Sequence, residues 1–320
     1  MATVTAPKTL QQAIVYFSNP EICLAEMVKF RWPDGVVKCP NCGSERVSFI
    51  KARRVWECAT KHPKRQFSVK VGTIMEDSAI GLNKWLVAMW LICNAKNGIS
   101  SYELGRSIGV TQKSAWFMLH RIRLAMQGED GGKLGGEVEA DETYIGGKAR
   151  NMHSEKRKRV QRGRSFKGKV AVMGLLERHG EGKSRIRLEV LTGLRRSAVQ
   201  ARVRHNVEAG ATLHTDAFSS YTGLDSTYNH NVINHAEKYV DGNVHTNGCE
   251  NFWSLLKRTI KGTYVSIEPF HLFRYLDEQA FRFNNRGMND AARFALAASS
   301  VFGKRLTFNV LTGNDQPQTC

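Results

Sequence analysis

The chain has 320 residues, 42% of them hydrophobic, which is enough for one large core with one or two small modules beside it. Its formal net charge of +18 gives strong, salt-sensitive attraction to phosphate backbones, a property shared by nucleic-acid-binding, ribosomal and membrane-surface proteins. No run of about 18 apolar residues occurs, so a helical membrane span is excluded from the expectations.

Residues 8–30 have helical spacing interrupted by Asn19-Pro20. Residues 31–75 are turn-rich and strand-like and include Cys-Pro-Asn-Cys at 39–42. Residues 82–98, rich in Trp and Leu, read as a buried helix, and Ser100–Met126 as two helices around a tight turn. A glycine-rich linker, Gly128–Gly136, ends this half. Beyond it, residues 137–145, 169–178 and 184–193 are rich in β-branched residues and read as three strands. Residues 197–209 read as a helix, 211–218 as a fourth strand carrying Asp216, and 230–236 as a candidate fifth. Two long helices are expected near 246–261 and 268–285, and the last 17 residues look polar and loosely held. Strands interleaved with helices in this order suit an α/β layer fold.

The N-terminus lacks a basic stretch followed by an apolar one, so no secretory leader is expected. Seven cysteines then read as thiols or metal ligands in a reducing cytoplasm, not as a disulfide framework.

Cys39-x2-Cys42 followed by Gly43 is a knuckle pattern, and Cys58 and His62 lie one hairpin later. Four soft ligands on two turns fit a structural, tetrahedral Cys3His zinc site. A module of about 40 residues builds little core and needs such a staple. The second half departs from the usual Cys-x2-Cys, and the competing reading leaves Cys39 and Cys42 as unpaired thiols and Cys58 in a core.

In Ser100–Met126, Ser101 and Thr111 can cap two helices, with Gly109 in the turn. Leu104, Ile108, Val110, Trp116, Leu119 and Ile122 have the spacing to pack the pair. Gln112, Lys113, Ser114, His120, Arg121 and Arg123 are then expected outside. That is a helix-turn-helix pattern with Gln112–Ser114 where base contacts arise. An ordinary helical hairpin with a solvated basic face is the competing reading.

Three acids carry the chemistry. Asp141 follows a β-rich run, Asp216 ends another, and Glu250 falls on a helix. Carboxylates on separate elements of so basic a chain suit a divalent-metal site acting on a polyanion. Two-metal phosphoryl transfer needs carboxylates that hold two Mg2+ or Mn2+ ions about 3.5–4 Å apart. At about 100° per residue, Asn247, Ser254 and Lys257 share the Glu250 side, while Phe252, Leu255 and Leu256 fall opposite. Lys257 is placed to meet a phosphate. Glu139 shares the strand face of Asp141, whereas Glu142 points away. Singly, each acid reads equally as a cap or a solvated residue.

Taken together, Cys-Pro-Asn-Cys-Gly, residues 65–78, 140–148, 214–221, 244–258 and 281–286 resemble bacterial insertion-sequence transposases of the DDE class, of the ISXO-like kind. The resemblance covers about residues 15–290. It implies an RNase H-like mixed sheet flanked by helices, preceded by a small zinc ribbon and a helix-turn-helix module. The domains expected are an N-terminal helical segment (1–30), the ribbon (31–78), the helix-turn-helix module (79–127), the linker (128–136), the catalytic domain (137–290) and a C-terminal tail (291–320). The resemblance also implies that Asp141, Asp216 and Glu250 form the triad, and Lys257 meets its Glu-x6-Lys spacing. The Tyr and Arg that often precede the Glu in related families are absent. His245 and Asn247 occupy that stretch, and in some relatives an Asn nearby is counted in the active site.

The segment Lys148–Lys169 holds ten Lys/Arg and one Glu. By charge and resemblance, Lys148, Arg157, Lys158 and Arg159 should touch donor DNA, with Lys257, Arg258 and Lys261 extending the basic surface. Trp253 or Phe252 could pack, or stack on a flipped base. The function implied is binding of double-stranded terminal inverted repeats, metal-dependent cleavage, and joining to target DNA. It would be performed by a homodimer or larger assembly on DNA, at the nucleoid in the cytoplasm, with no membrane partner. A non-catalytic DNA-binding regulator derived from a transposase, and a non-transposing nuclease, are the alternatives.

Overall fold

The computed structural model describes residues 6–128, 132–146, 169–178, 183–233 and 244–314. The chain divides into two compact units, Met1–Gln127 with Met288–Cys320, and Gly128–Gly287.

The first unit opens with α1 (Leu10–Tyr16) and α2 (Pro20–Arg31). The Asn19-Pro20 pair separates them. Asn19 caps α2 by accepting the Glu21 N–H at 2.9 Å, and Pro20 occupies the first turn, where its missing N–H breaks no helical bond. Next come β1 (Val47–Ile50), β2 (Val55–Cys58) and β3 (Gln66–Phe67), an antiparallel sheet with β2 in the middle. Trp56 on β2 lies 5.8 Å from Trp32, 5.0 Å from Phe49 and 5.9 Å from Phe67 between ring centroids. These rings supply the apolar contact that so short a sheet cannot build from aliphatic residues.

Helix α3 (Leu82–Asn94) buries Trp85, Leu86, Met89 and Trp90. It is followed by α4 (Ser101–Ile108) and α5 (Gln112–Met126). Gly109 ends α4 at φ 63°, the left-handed region where a missing Cβ removes the steric cost. Ser100 caps α4, one residue before the expected Ser101, and accepts the Glu103 N–H at 3.1 Å. Thr111 caps α5 as expected.

The second unit contains β4 (Glu137–Ile145), β5 (Val170–Arg178), β6 (Arg185–Leu191), α6 (Arg196–Asn206), β7 (Thr212–Asp216), β8 (Asn229–Ile233), α7 (Asn247–Thr259) and α8 (Leu272–Asn284). Its sheet has the order β6-β5-β4-β7-β8. The first three strands are antiparallel, and β4, β7 and β8 run parallel. Val138, Ala140, Met173, Leu175 and Leu213 on one sheet face pack with Val199 and Val203 of α6. Ile145, Val172, Leu176 and Ile186 on the other pack with Cys249, Phe252, Trp253 and Leu256 of α7 and Leu272 and Leu276 of α8. This is the α/β arrangement expected from the strand and helix rhythm.

The chain then returns to the first unit through α9 (Asp290–Ser299) and α10 (Phe308–Thr312). The tail expected over 291–320 is therefore corrected for its described part. Phe294 on α9 sits 5.3 Å from Phe17, 6.3 Å from Phe30 and 5.4 Å from Trp90 between ring centroids. Leu311 on α10 is buried. Burial of Phe294, Ala297, Ala298 and Leu311 is what holds the segment.

Candidate metal centres

Across the parallel β4–β7 ladder, Glu139 faces His214 and Ala140 faces Thr215. The next step carries Asp141 on β4 and Asp216 on β7. Side-chain alternation puts both carboxylates on one sheet face, the face that α7 covers. Glu250 lies in the first turn of α7, beside Cys249, whose N–H donates to Glu139 at 2.9 Å. Asp216 also accepts the Phe218 N–H at 3.1 Å, which holds the end of its strand.

Burial pushes the Asp141 carboxyl up to about 6, against hydrogen bonds from Trp253 and the Glu142 backbone, while the nearby Asp216 and Glu250 charges add to the rise. The Asp141 carboxyl thus feels the charges of Asp216 and Glu250. Carboxylate oxygens are hard donors of the kind a divalent cation takes. Glu142 points to the opposite face, as expected, and accepts the Tyr221 hydroxyl. Burial there raises its carboxyl to about 7, with Asp216 and Asp141 adding to the rise and the Tyr221 bond opposing it.

On α7, Asn247, Glu250, Ser254, Lys257 and Arg258 are outside or half-exposed, while Cys249, Phe252, Trp253 and Leu256 are buried. One detail differs from expectation. Leu255 is 37% exposed, and its place on the apolar side is taken by Cys249 and Trp253. Trp253, at 4% exposure, is packed in the core and cannot stack on a flipped base in this conformation. Its indole N–H donates instead to Asp141 at 2.8 Å. Sequence reasoning missed this partner. The signal for it was Gly174, a glycine inside an apolar strand, which marks close approach of another group.

His245 is held by Arg178 and lies 3.5 Å from Glu139. Arg178 donates to His245 Nδ1 at 2.8 Å and to its carbonyl at 2.6 Å, and also to Glu139 at 2.7 Å. A guanidinium only donates, so Nδ1 accepts, and a neutral ring then carries its proton on Nε2. The Asn247 backbone N–H points at the same Nδ1 from 3.4 Å.

The DNA-contact candidates divide. Lys257 and Arg258 are exposed, as is Lys113, whose ammonium lies 5.1 Å from the Phe308 ring centroid. Gln112 is half-buried and donates to Ser101 at 2.9 Å. Arg121 is corrected: it is 7% exposed and donates to the Leu306 carbonyl at 3.0 Å and the Glu76 carbonyl at 2.9 Å. His120 and Arg123 are buried too. The returning C-terminal segment covers this side of α5, which removes the expected basic face. Lys148, Arg157, Lys158 and Arg159 lie outside the described residues.

In the first unit, one ligand atom each from Cys39, Cys42, Cys58 and His62 lie within 4.8 Å of one another. The Gly43 N–H closes the knuckle on the Cys39 carbonyl at 2.8 Å, and β2 delivers Cys58. His62 Nδ1 is 2.7 Å from the Pro63 carbonyl, which can only accept. The ring proton therefore sits on Nδ1, and Nε2 is presented 3.4 Å from the Cys39 sulfur. Burial raises the Cys58 thiol, but hydrogen bonds from His62, the Thr60 backbone and Cys42 bring it down to about 6. Three soft sulfurs and one imidazole fit a structural zinc ion.

Known families bear on both centres. A family described as the ISXO2-like transposase domain matches residues 133–284. A transposase zinc-ribbon domain matches residues 18–60. The chain is 30% identical over 246 residues to an uncharacterized protein in transposable element ISH50 of Halobacterium salinarum, a match covering 72% of this chain and 80% of that protein. It is 36% identical over 84 residues to an uncharacterized transposase-like protein of Haemophilus influenzae, covering 26% of this chain and 68% of that protein.

Proposed function

Because the chain belongs to the ISXO2-like transposases, with the transposase zinc ribbon at its N-terminal side, we propose that it binds the terminal inverted repeats of an insertion sequence, cleaves them and joins the freed 3′-hydroxyls to target DNA. The observation that carries this reading is the adjacency of Asp141, in the middle of β4, and Asp216, at the end of the parallel strand β7, with Glu250 near enough for its charge to act on Asp141.

Asp141, Asp216 and Glu250 would hold Mg2+ or Mn2+ ions. Bound there, the ions would activate the attacking water in cleavage and the freed 3′-hydroxyl in joining, and neutralise the leaving oxygen. The chain's own part is positioning and charge. The sheet fixes two carboxylates in register, α7 brings the third, and Lys257 and Arg258, exposed along the same helix, meet the DNA backbone. The sheet order β6-β5-β4-β7-β8 fits the RNase H-like fold inferred from the motifs. Helices α4 and α5, with Lys113 exposed at the start of the second, fit an end-recognition module. Two ends must be paired before joining, so the working form on DNA is a dimer or larger.

The test is incubation of the zinc-loaded protein with a duplex carrying the terminal repeat of its element, in Mg2+. The proposal expects a nick at the repeat boundary and a joined product, both absent on a scrambled duplex. Binding of the repeat without nicking or joining, in Mg2+ and in Mn2+, would leave a regulator instead.

A further inference from the structure

The Asp141 carboxylate is held at both oxygens. Oδ1 accepts the Glu142 backbone N–H at 2.8 Å, and Oδ2 accepts the Trp253 indole N–H at 2.8 Å. The indole reaches across through a slot in β5. Gly174 is the cross-strand partner of Asp141, and a Cβ there would lie 2.6 Å from Trp253 Cζ2 and 2.7 Å from Cη2. No side chain larger than glycine leaves room for the ring. On α7, Trp253 stands about one turn after Glu250.

We propose that Trp253 is a positioning residue for the carboxylate site: its N–H fixes the rotation of Asp141, and its seat on Gly174 fixes how far α7, and so Glu250, stands from that carboxylate. The proposal rests on the reading of Asp141 as a metal ligand given above. Burial in an apolar cluster explains the ring of Trp253 but not the direction of its N–H. Nor does it explain a glycine in mid-strand, where β-branched residues are favoured.

The chemistry follows from the donor count. An ionised carboxylate has about four lone-pair sites. Two N–H donors, one per oxygen, leave each oxygen free to bind a cation while preventing the group from turning. The terminal torsion of Asp is broad and roughly two-fold, so a carboxylate tethered at one oxygen would sample orientations that a ligand must not. Partners that orient a metal ligand typically affect metal affinity about 10- to 100-fold.

Trp253→Phe keeps a ring over Gly174 and deletes the N–H. The direct measurement is Mn2+ binding to the full zinc-loaded chain, read by electron paramagnetic resonance. We expect Mn2+ affinity to fall about 10-fold or more, with zinc content and thermal midpoint near wild type and repeat nicking restored by excess Mn2+. Gly174→Ala, which leaves every polar group in place but displaces the indole, should weaken Mn2+ binding in the same way. Wild-type Mn2+ affinity in Trp253→Phe, together with loss of binding in Asp141→Asn, would overturn the positioning role and leave the metal site standing. Wild-type affinity in Asp141→Asn would remove the metal reading beneath it. If Trp253→Phe does not fold, the wild-type chain labelled at indole nitrogen answers instead. One of its six indole N–H signals should shift on Mg2+ titration and be displaced in Asp141→Asn. No indole signal responding to Mg2+ would overturn the proposal.

Discussion

Glu139 accepts the backbone N–H of Cys249 at 2.9 Å, which ties the first turn of α7 to the strand that carries Asp141. The other carboxylate oxygen of Glu139 takes Arg178 at 2.7 Å. Glu139 is nearly fully buried, and both of its oxygens are paired. One side chain thus anchors the helix bearing Glu250 two residues before the first acid of the site. Gly248 makes room for it: a Cβ there would meet Glu139 Oε2 at 2.8 Å.

Glu139→Ala removes one of the two carboxylates that Arg178 meets, Glu137 remaining at 3.2 Å, and frees the start of α7. The expected loss is about 1–3 kcal/mol of stability, measured by denaturant unfolding of the full chain. An unchanged midpoint would mean that the pair is not holding the helix.

The two arginine-lysine candidates on α5 should behave oppositely. Arg121→Ala strips one buried and one half-buried carbonyl of their donor, and about 1–3 kcal/mol of stability should be lost. Lys113→Ala touches an exposed side chain and should change stability by less than about 0.5 kcal/mol. It should instead weaken repeat binding and, if its contact is with phosphate, reduce the salt slope by about 1. Thermal unfolding and binding at several salt concentrations separate the two. A stable Arg121→Ala protein with impaired binding would restore the surface role that the fold denies it.

Removal of zinc should unfold the three-stranded sheet. Cys42→Ser, or a strong chelator, is expected to bring zinc content to background and to expose the Trp56 cluster, seen as a red shift in tryptophan emission. The second unit contains none of the four ligands and should keep its unfolding transition. Full zinc content in Cys42→Ser would refute the ligand assignment.

Much of this was legible in the sequence because it rests on local pattern. β-rich runs marked β4, β5 and β7, and helical spacing put Glu250, Ser254 and Lys257 on the open side of α7. Ligand spacing picked out Cys39, Cys42, Cys58 and His62, now found together. What escaped depended on contacts distant in sequence. Arg121 looked solvated because Leu306, which supplies its acceptor, is 185 residues away. Phe294 looked like part of a tail because Phe17 and Trp90, which bury it, belong to the other end of the chain. Trp253 read as core or base platform because only the folded sheet sets Gly174 beneath it and Asp141 beside it.

The carboxylate site is tested most directly by Asp216→Asn, assayed for both repeat binding and Mg2+-dependent nicking. Asp216 is half-exposed, and the substitution keeps an oxygen to accept the Phe218 N–H, so fold and end binding should stay near wild type. Nicking should fall by roughly 10²–10³-fold or more, the scale on which loss of one charge-stabilising group acts. Nicking at the wild-type rate in Asp216→Asn would contradict a catalytic site built from these acids.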